Sequence, residues 1–169
     1  MKLRSPVSGQ PLAPEGPHAL SDGAGERWPV VDGVPYLRAG SRALADAALE
    51  RLDGGDREGA LALLLAENDA WWDEPPPPEA ALRAVVREAD ALSLREVMRR
   101  LGWGRVGDYF AHRWTDPTFV AGLALTDAHW TAPSTAFELA CGVGGHLRAL
   151  AAAGVRVAGG DVVFAKLWV

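Results

Sequence analysis

Residues 135–169 read TAFELACGVGGHLRALAAAGVRVAGGDVVFAKLWV, and the fold class of the chain is predicted from this segment. An apolar strand is predicted at 136–139, and the glycine-rich run at 140–145 predicts a tight turn. The apolar spacing over 146–153 predicts a helix, and residues 155–160 predict a second strand. The order strand, glycine turn, helix, strand predicts an α/β fold that begins with a parallel βαβ unit.

Each predicted strand carries an acid at or near its carboxyl end. Glu138 lies within the first strand, and Asp161 follows the second strand, about 20 residues after the glycine turn begins. Gly142 and Gly144 lack a Cβ and let the backbone approach a ligand closely, while Asp161 is placed to accept both hydroxyls of a ribose. The pattern indicates a site for a nucleoside-type cofactor. The alternative is an ordinary βα turn with Asp161 on the surface.

The spacing of the glycines bears on which cofactor is expected. A dinucleotide site of the G-x-G-x-x-G type needs a third glycine, and that position is Leu147 here. The run ELACGVG at 138–144 instead resembles motif I of class I S-adenosylmethionine-dependent methyltransferases, and VAGGD at 157–161 resembles their motif II. An NAD(P)-linked oxidoreductase fragment is the less favoured alternative.

The resemblance implies both a binding role for several residues and a fold. Glu138 and the loop of Ala140, Gly142 and Gly144 would hold the methionine end of S-adenosylmethionine, and Asp161 would bind its ribose. Ala140 is a departure, because the family often has glycine there. The implied fold is a Rossmann-like, doubly wound sheet of which this chain supplies the first two strands, so a fragment is expected. The implied reaction is methyl transfer (EC 2.1.1.-), with no catalytic residue or general base indicated and the methyl acceptor open.

The first 40 residues form a separate region, rich in proline, glycine and serine, for which a small β-rich module is predicted. The pair Asp32-Gly33 predicts a hairpin turn. The stretches RSPVSGQPL (4–12) and WPVVDGVP (28–35) resemble a Trm112-type zinc-ribbon domain, a module that often precedes or partners methyltransferases. Its four zinc-ligand positions fall on Ser5, Ser8, Ser21 and Ala24. None of these supplies a thiolate, so we expect no metal. We predict that packing of Trp28 and Tyr36, or packing of the module against the helices, substitutes for it.

Residues 41–133 have helical periodicity and predict a central helical segment, before a methyltransferase-like part at 134–169. Ser41 is the predicted N-cap of the first helix, and Asp116 that of the last. The predicted helices cover 41–53, 57–72, 79–101, 105–114 and 117–130, and a restart of the third at Ser93 is the alternative to one long helix.

Several residues suggest chemistry but have a simpler structural interpretation. Tyr109, Phe110, Trp114 and Trp130 are candidates to line a substrate or adenine pocket, although aromatic residues at helical spacing more often form core. Cys141 is interpreted as turn packing, because no activating base can be assigned to it. His146, on the first turn of the predicted helix, is a candidate to contact the cofactor or substrate, although a partly exposed helix residue is the simpler interpretation. His18, His112 and His129 show no metal-ligand spacing.

Composition limits the function classes. The 169 residues are 49% hydrophobic, with a net charge of -5 and an isoelectric point near 5.3, so nucleic acid is not an expected partner. Cys141 is the single cysteine, which favours a reducing, cytoplasmic setting, and no apolar run is long enough to predict a membrane span. A non-catalytic protein-interaction module remains a third functional hypothesis, and the oligomeric state is open.

Overall fold

The structure is a computed structural model that describes residues 2–67, 75–129 and 135–169. It is a mixed α/β chain with a four-stranded antiparallel sheet, a group of helices and a two-stranded parallel sheet. Within the three described ranges, no helix combines the length and the apolar character needed to cross a bilayer.

The N-terminal module contains the antiparallel sheet. Its strands pair in the order β1 (Ala13–Pro14), β2 (Ala19–Ser21), β3 (Arg27–Val31) and β4 (Val34–Pro35). The β3–β4 hairpin turns at Asp32 and Gly33, whose φ angles are 52° and 79°. A two-residue turn of the I′ type requires positive φ at both positions, which an Asp-Gly pair tolerates. The predicted hairpin is therefore confirmed.

Hydrogen bonds join the two loops that carry the predicted zinc-ligand positions. Ser5 donates a short hydrogen bond to the carboxylate of Glu26, and Ser8 Oγ donates to Asp22 Oδ2 at 2.8 Å. Ser5 Oγ also accepts from the amide of Ser8 at 3.0 Å. These side chains thus connect the first loop to the second, at the place where the resemblance would put a metal ion.

The central segment contains six α-helices within its described residues. They are α1 (Arg42–Asp53), α2 (Arg57–Leu65), α3 (Glu79–Glu88), α4 (Leu94–Arg100), α5 (Gly104–Arg113) and α6 (Pro117–His129). The predicted cap of the last helix is confirmed, because Asp116 Oδ1 accepts from the amides of Thr118 and Phe119 at 2.8 and 3.2 Å.

Two predictions about the first two helices are wrong in detail. The second helix ends at Leu65 rather than at Trp72, which lies outside the described residues. Ser41 precedes α1, but its hydroxyl makes no capping bond and instead donates to Glu67 Oε1 at 2.8 Å. Glu67 also accepts from Tyr36 Oη at 2.8 Å. This carboxylate attracts the Ser41 hydroxyl away from the helix terminus and fixes the chain just after α2.

The predicted 79–101 helix is two helices, as the alternative prediction held. A short 3₁₀ turn follows α3, and Leu92 then adopts an extended backbone with ψ of 151°. Ser93 restarts the helix, because its Oγ accepts from the amide of Glu96 at 3.2 Å. The Ser-Leu-Arg-Glu sequence therefore begins α4.

The last 35 residues form the predicted βαβ unit. The elements are β5 (Thr135–Leu139), α7 (Gly145–Ala152), β6 (Arg156–Gly160) and α8 (Phe164–Trp168). The two strands are parallel, with Thr135 opposite Arg156 and Leu139 opposite Gly160. Gly154 has a φ of 84° just after α7, the left-handed conformation that a C-terminal glycine supplies. Strand, turn, helix and strand are confirmed in order.

One hydrophobic core draws side chains from all three predicted parts of the chain. Trp28 of β3 is fully buried, and Tyr36 packs edge-on to the ring of Phe164 of α8 with centroids 6.1 Å apart. Leu61 and Trp103 contribute from the helical segment. The N-terminal module therefore packs directly on the helices and on α8, with Trp28 and Tyr36 in the packing role predicted for them.

Candidate functional site

The turn between β5 and α7 has a left-handed backbone at three positions. The φ angles of Ala140, Gly142 and Gly144 are 55°, 56° and 75°. Glycine reaches this region without strain, whereas alanine does not, because its Cβ crowds the backbone. Ala140 therefore holds a strained conformation at the position where the resembling family often has glycine.

Asp161 closes the turn from the end of β6. Its Oδ2 accepts from the amide of Gly142 at 2.9 Å, and its Oδ1 accepts from the amide of Val163 at 3.0 Å. Lys166 Nζ lies 3.6 Å from Oδ1, and the Asp161 side chain is only 5% exposed. The carboxylate thus ties the two strand ends together. A carboxylate has more acceptor positions than these two amides use.

Glu138 points toward the same turn from β5. Its Oε1 is hydrogen-bonded to His146 Nδ1 at 3.0 Å. Its Oε2 is buried and has no hydrogen-bond partner among the described residues. A buried carboxylate oxygen without a partner is energetically costly, so this atom marks a place where a donor from outside the chain would be stabilised.

A cavity of about 240 Å³ lies beside the turn and collects most of the predicted site residues. Glu138, Ala140, Gly142 and Asp161 line it, and Gly144 does not. The two acids thus open onto a common cavity, as a shared binding site requires. The cavity is smaller than the roughly 300–1,000 Å³ typical of sites that enclose a drug-sized ligand.

Aromatic side chains from the helical segment cover part of the turn. A Cβ placed on Gly145 would lie 2.1 Å from the ring of Trp114, and one on Gly142 would lie 3.0 Å from the ring of Phe110. The space freed by these two glycines is therefore filled by the protein's own rings. Phe110 and Trp114, with Tyr109, line the cavity as the pocket hypothesis for these aromatics requires, and Trp130 lies outside the described residues.

Three lining residues were not anticipated from the sequence. Phe119 packs its ring on that of His146 with centroids 4.6 Å apart, and Arg113 and Lys166 bring positive charge to the cavity. No spacing rule links residues 113 and 119 to a turn at 140–145, since only the packing of α5 and α6 brings them there. The Lys-Leu-Trp ending of α8 gave no signal that Lys166 would be buried.

Cys141 is a packing residue of the turn. Its Sγ lies 2.8 Å from the position that a Cβ on Gly159 would take, so the thiol fills the space beside β6. Burial raises the pKa of the Cys141 thiol, and the charges of Asp161 and Glu138 add to the effect. A thiol kept protonated is a poor nucleophile, which agrees with the packing interpretation.

A second, larger cavity of about 540 Å³ lies between the N-terminal module and the end of β6. Its walls are mainly apolar and include Tyr36 and Leu37 on one side and Val162 and Phe164 on the other. Asp161 lines this cavity as well as the smaller one. Arg38 spans the junction by donating to the carbonyl oxygen of Val162 at 3.3 Å.

Comparisons with protein families, with curated proteins and with solved structures found no match to this chain. The site must therefore be interpreted from its own geometry. In the described part of the chain, no group of three or more histidine, cysteine, aspartate or glutamate side chains could hold a metal ion.

The arrangement is suited to binding a polar molecule that carries a cationic donor. Glu138 offers an acceptor oxygen, and the amide groups of the turn are close by. Among the described residues that line the smaller cavity, the Cys141 thiol is the one candidate nucleophile, its pKa is raised, and no hydrogen bond joins it to His146, which is bonded to Glu138. Binding and orientation are the chemistry that these residues supply.

Proposed function

We propose that residues 134–169 are the cofactor-binding start of a class I, S-adenosylmethionine-dependent methyltransferase with a Rossmann-like sheet (EC 2.1.1.-). The observation that carries the proposal is the buried, unpartnered Oε2 of Glu138 in a cavity beside the glycine turn. An ammonium group is the natural donor to such an oxygen, and the amino-acid end of S-adenosylmethionine carries one.

The residues present fit this cofactor in part. Glu138 would accept from the α-ammonium group, and the turn of Ala140, Gly142 and Gly144 would lie beside the amino-acid end. Asp161 is assigned to the ribose by the family resemblance, and it lines both cavities. When bound, the cofactor supplies an electrophilic sulfonium methyl group. The protein's contribution is then to hold the reactants close and oriented, and no general base is assigned.

Calorimetric titration with S-adenosylhomocysteine tests the proposal through Glu138→Gln. The substitution keeps the shape of the side chain but replaces the charged acceptor, so affinity should fall roughly 10- to 100-fold. Glu50→Gln is the matched control, because Glu50 is exposed on α1 and lies far along the chain from the turn. The wild-type chain and the control should bind equally. Absence of binding by the wild-type chain, or an unchanged affinity in Glu138→Gln, would contradict the proposal.

A non-catalytic interaction module is the second candidate function. The rings of Phe110 and Trp114 against Gly142 and Gly145 favour it, because a turn filled by its own side chains needs no ligand. Under this hypothesis the wild-type chain binds no nucleoside, and a protein partner copurifies with it.

An NAD(P)-binding fragment has less support from the geometry. The Leu147 side chain occupies the third glycine position of the dinucleotide pattern, and it reaches 2.5 Å from where a Cβ on Gly159 would lie. The close approach of α7 to β6 is thus provided by Gly159 in the strand. A thermal-shift comparison of NADH with S-adenosylhomocysteine separates these ligands.

The methyltransferase proposal includes two further expectations. The chain would act in a cytoplasmic setting, and the methyl acceptor would be a small molecule or a protein that is not yet identified.

A further inference from the structure

Arg113 brings a positive charge to the smaller cavity from the last turn of α5. Its guanidinium lies over the rings of Tyr109 and Phe119, 5.2 and 5.7 Å from their centroids. It also donates a short hydrogen bond to Tyr109 Oη. Two ring faces and a hydroxyl therefore restrict the orientation of this guanidinium, which is exposed to solvent only in part.

This guanidinium forms no ion pair with any residue in the ranges 2–67, 75–129 and 135–169. The nearest acid in sequence is Asp116, whose carboxylate accepts from the amides of Phe119 and Thr118. Those amides hold the pKa of Asp116 below its usual range, and the charge of Arg113 contributes less. Arg113 is thus a cation with capacity for an anionic partner.

The same cavity is lined by the unpartnered acceptor of Glu138. Lys166 and Asp161 also line the cavity, and Lys166 Nζ lies 3.6 Å from Asp161 Oδ1. Among the described residues, the cavity of about 240 Å³ thus offers one carboxylate oxygen without a hydrogen-bond donor and one guanidinium without a carboxylate partner. That volume suits one polar end of a ligand rather than a whole nucleoside.

We propose that this cavity binds an α-amino-acid zwitterion, with Arg113 binding the α-carboxylate and Glu138 the α-ammonium group. The inference rests on the proposed function, because it assigns this zwitterion to the amino-acid end of the methyl donor. A planar guanidinium matches a carboxylate with two parallel hydrogen bonds, and its charge strengthens both. The residue that binds the α-carboxylate, Arg113, then belongs to α5, which lies outside the βαβ unit that carries the motif resemblance.

The test compares S-adenosylmethionine with its decarboxylated form, which differs only by loss of the carboxylate. Calorimetry measures both affinities for the wild-type chain, Arg113→Met and Arg113→Lys. Arg148→Met is the matched control, because Arg148 lies 6.0 Å from the centroid of the Trp114 ring but does not line the cavity. The wild-type chain and Arg148→Met should prefer the carboxylated ligand by roughly 10- to 100-fold.

In Arg113→Met the ratio of the affinity for the carboxylated ligand to that for the decarboxylated ligand should fall to about 1, and the affinity for the decarboxylated ligand should be unchanged. Arg113→Lys should keep part of the preference for the carboxylated ligand. A preference in Arg113→Met equal to that of the wild-type chain overturns the inference and leaves the proposed function standing. A wild-type chain that binds both ligands with equal affinity also overturns the inference without contradicting the proposed function. A wild-type chain that binds neither ligand overturns the proposed function and the inference together.

Discussion

Replacing Ala140 by glycine should stabilise the chain. Ala140 has a φ of 55°, and a left-handed backbone costs a residue with a Cβ about 1–2 kcal/mol. Glycine removes that strain but adds about 0.4–1 kcal/mol of conformational entropy to the unfolded chain. Ala140 is exposed, so loss of its methyl group sacrifices little buried surface. The net expectation is a gain of about 0.5–1 kcal/mol in the free energy of unfolding.

An alanine-to-glycine substitution in an ordinary helix should instead lower the free energy of unfolding. Ala124 is exposed in the middle of α6, where glycine costs about 1 kcal/mol. Urea denaturation followed by circular dichroism should therefore separate Ala140→Gly from Ala124→Gly by about 1.5–2 kcal/mol. If Ala140→Gly lowers the free energy of unfolding as much as Ala124→Gly does, the backbone at this position is not left-handed and the reasoning is refuted.

Three further predictions concern packing, pH and metal. Gly159→Ala should lower the free energy of unfolding by about 1–3 kcal/mol, because its Cβ would lie 2.5 Å from Leu147 and 2.8 Å from Cys141 Sγ; an unchanged urea midpoint would contradict this. A hydrogen bond from Arg83, helped by the Gly59 amide, lowers the pKa of Asp56 to about 2. Its contribution is complete above the unfolded pKa of about 3.9 and disappears as the pH falls through about 2, so Asp56→Asn should lose less stability than the wild-type chain on acidification. Elemental analysis of the purified chain should find no stoichiometric zinc, and one bound zinc per chain would refute that expectation.

Local sequence signals predicted the local structure well. The Asp32-Gly33 turn, the Asp116 cap and the strand–turn–helix–strand order of the last 35 residues all follow from short-range geometry. Errors arose where a distant partner intervened. Serine is a favoured N-cap residue, yet the Ser41 hydroxyl donates its hydrogen bond to the carboxylate of Glu67 instead of capping α1. A cap is a local feature, whereas this competition depends on how α2 packs beside the N-terminal module.

The sequence predicted the βαβ side of the candidate site and the aromatic residues Tyr109, Phe110 and Trp114 that line it from α5 and just after it. The sequence placed Glu138 and Asp161 at strand ends, and both line the same cavity. It could not show that the Asp161 carboxylate binds two backbone amides, because that depends on the closure of the turn. Nor could it place Arg113 in the cavity, since no periodicity relates α5 to a turn about 30 residues later. The sequence showed Ala140 as a departure from the motif, and the structure shows that its backbone is left-handed, with a φ of 55°.

The rings that rest on the glycine turn would control the kinetics of binding. A ligand that contacts the backbone at Gly142 or Gly145 can bind only after the rings of Phe110 and Trp114 have moved away from these glycines. The observed association rate would then level off at high ligand concentration, at the rate with which the rings depart. The measured affinity would also fall short of the intrinsic affinity by the fraction of molecules in which the surface is bare.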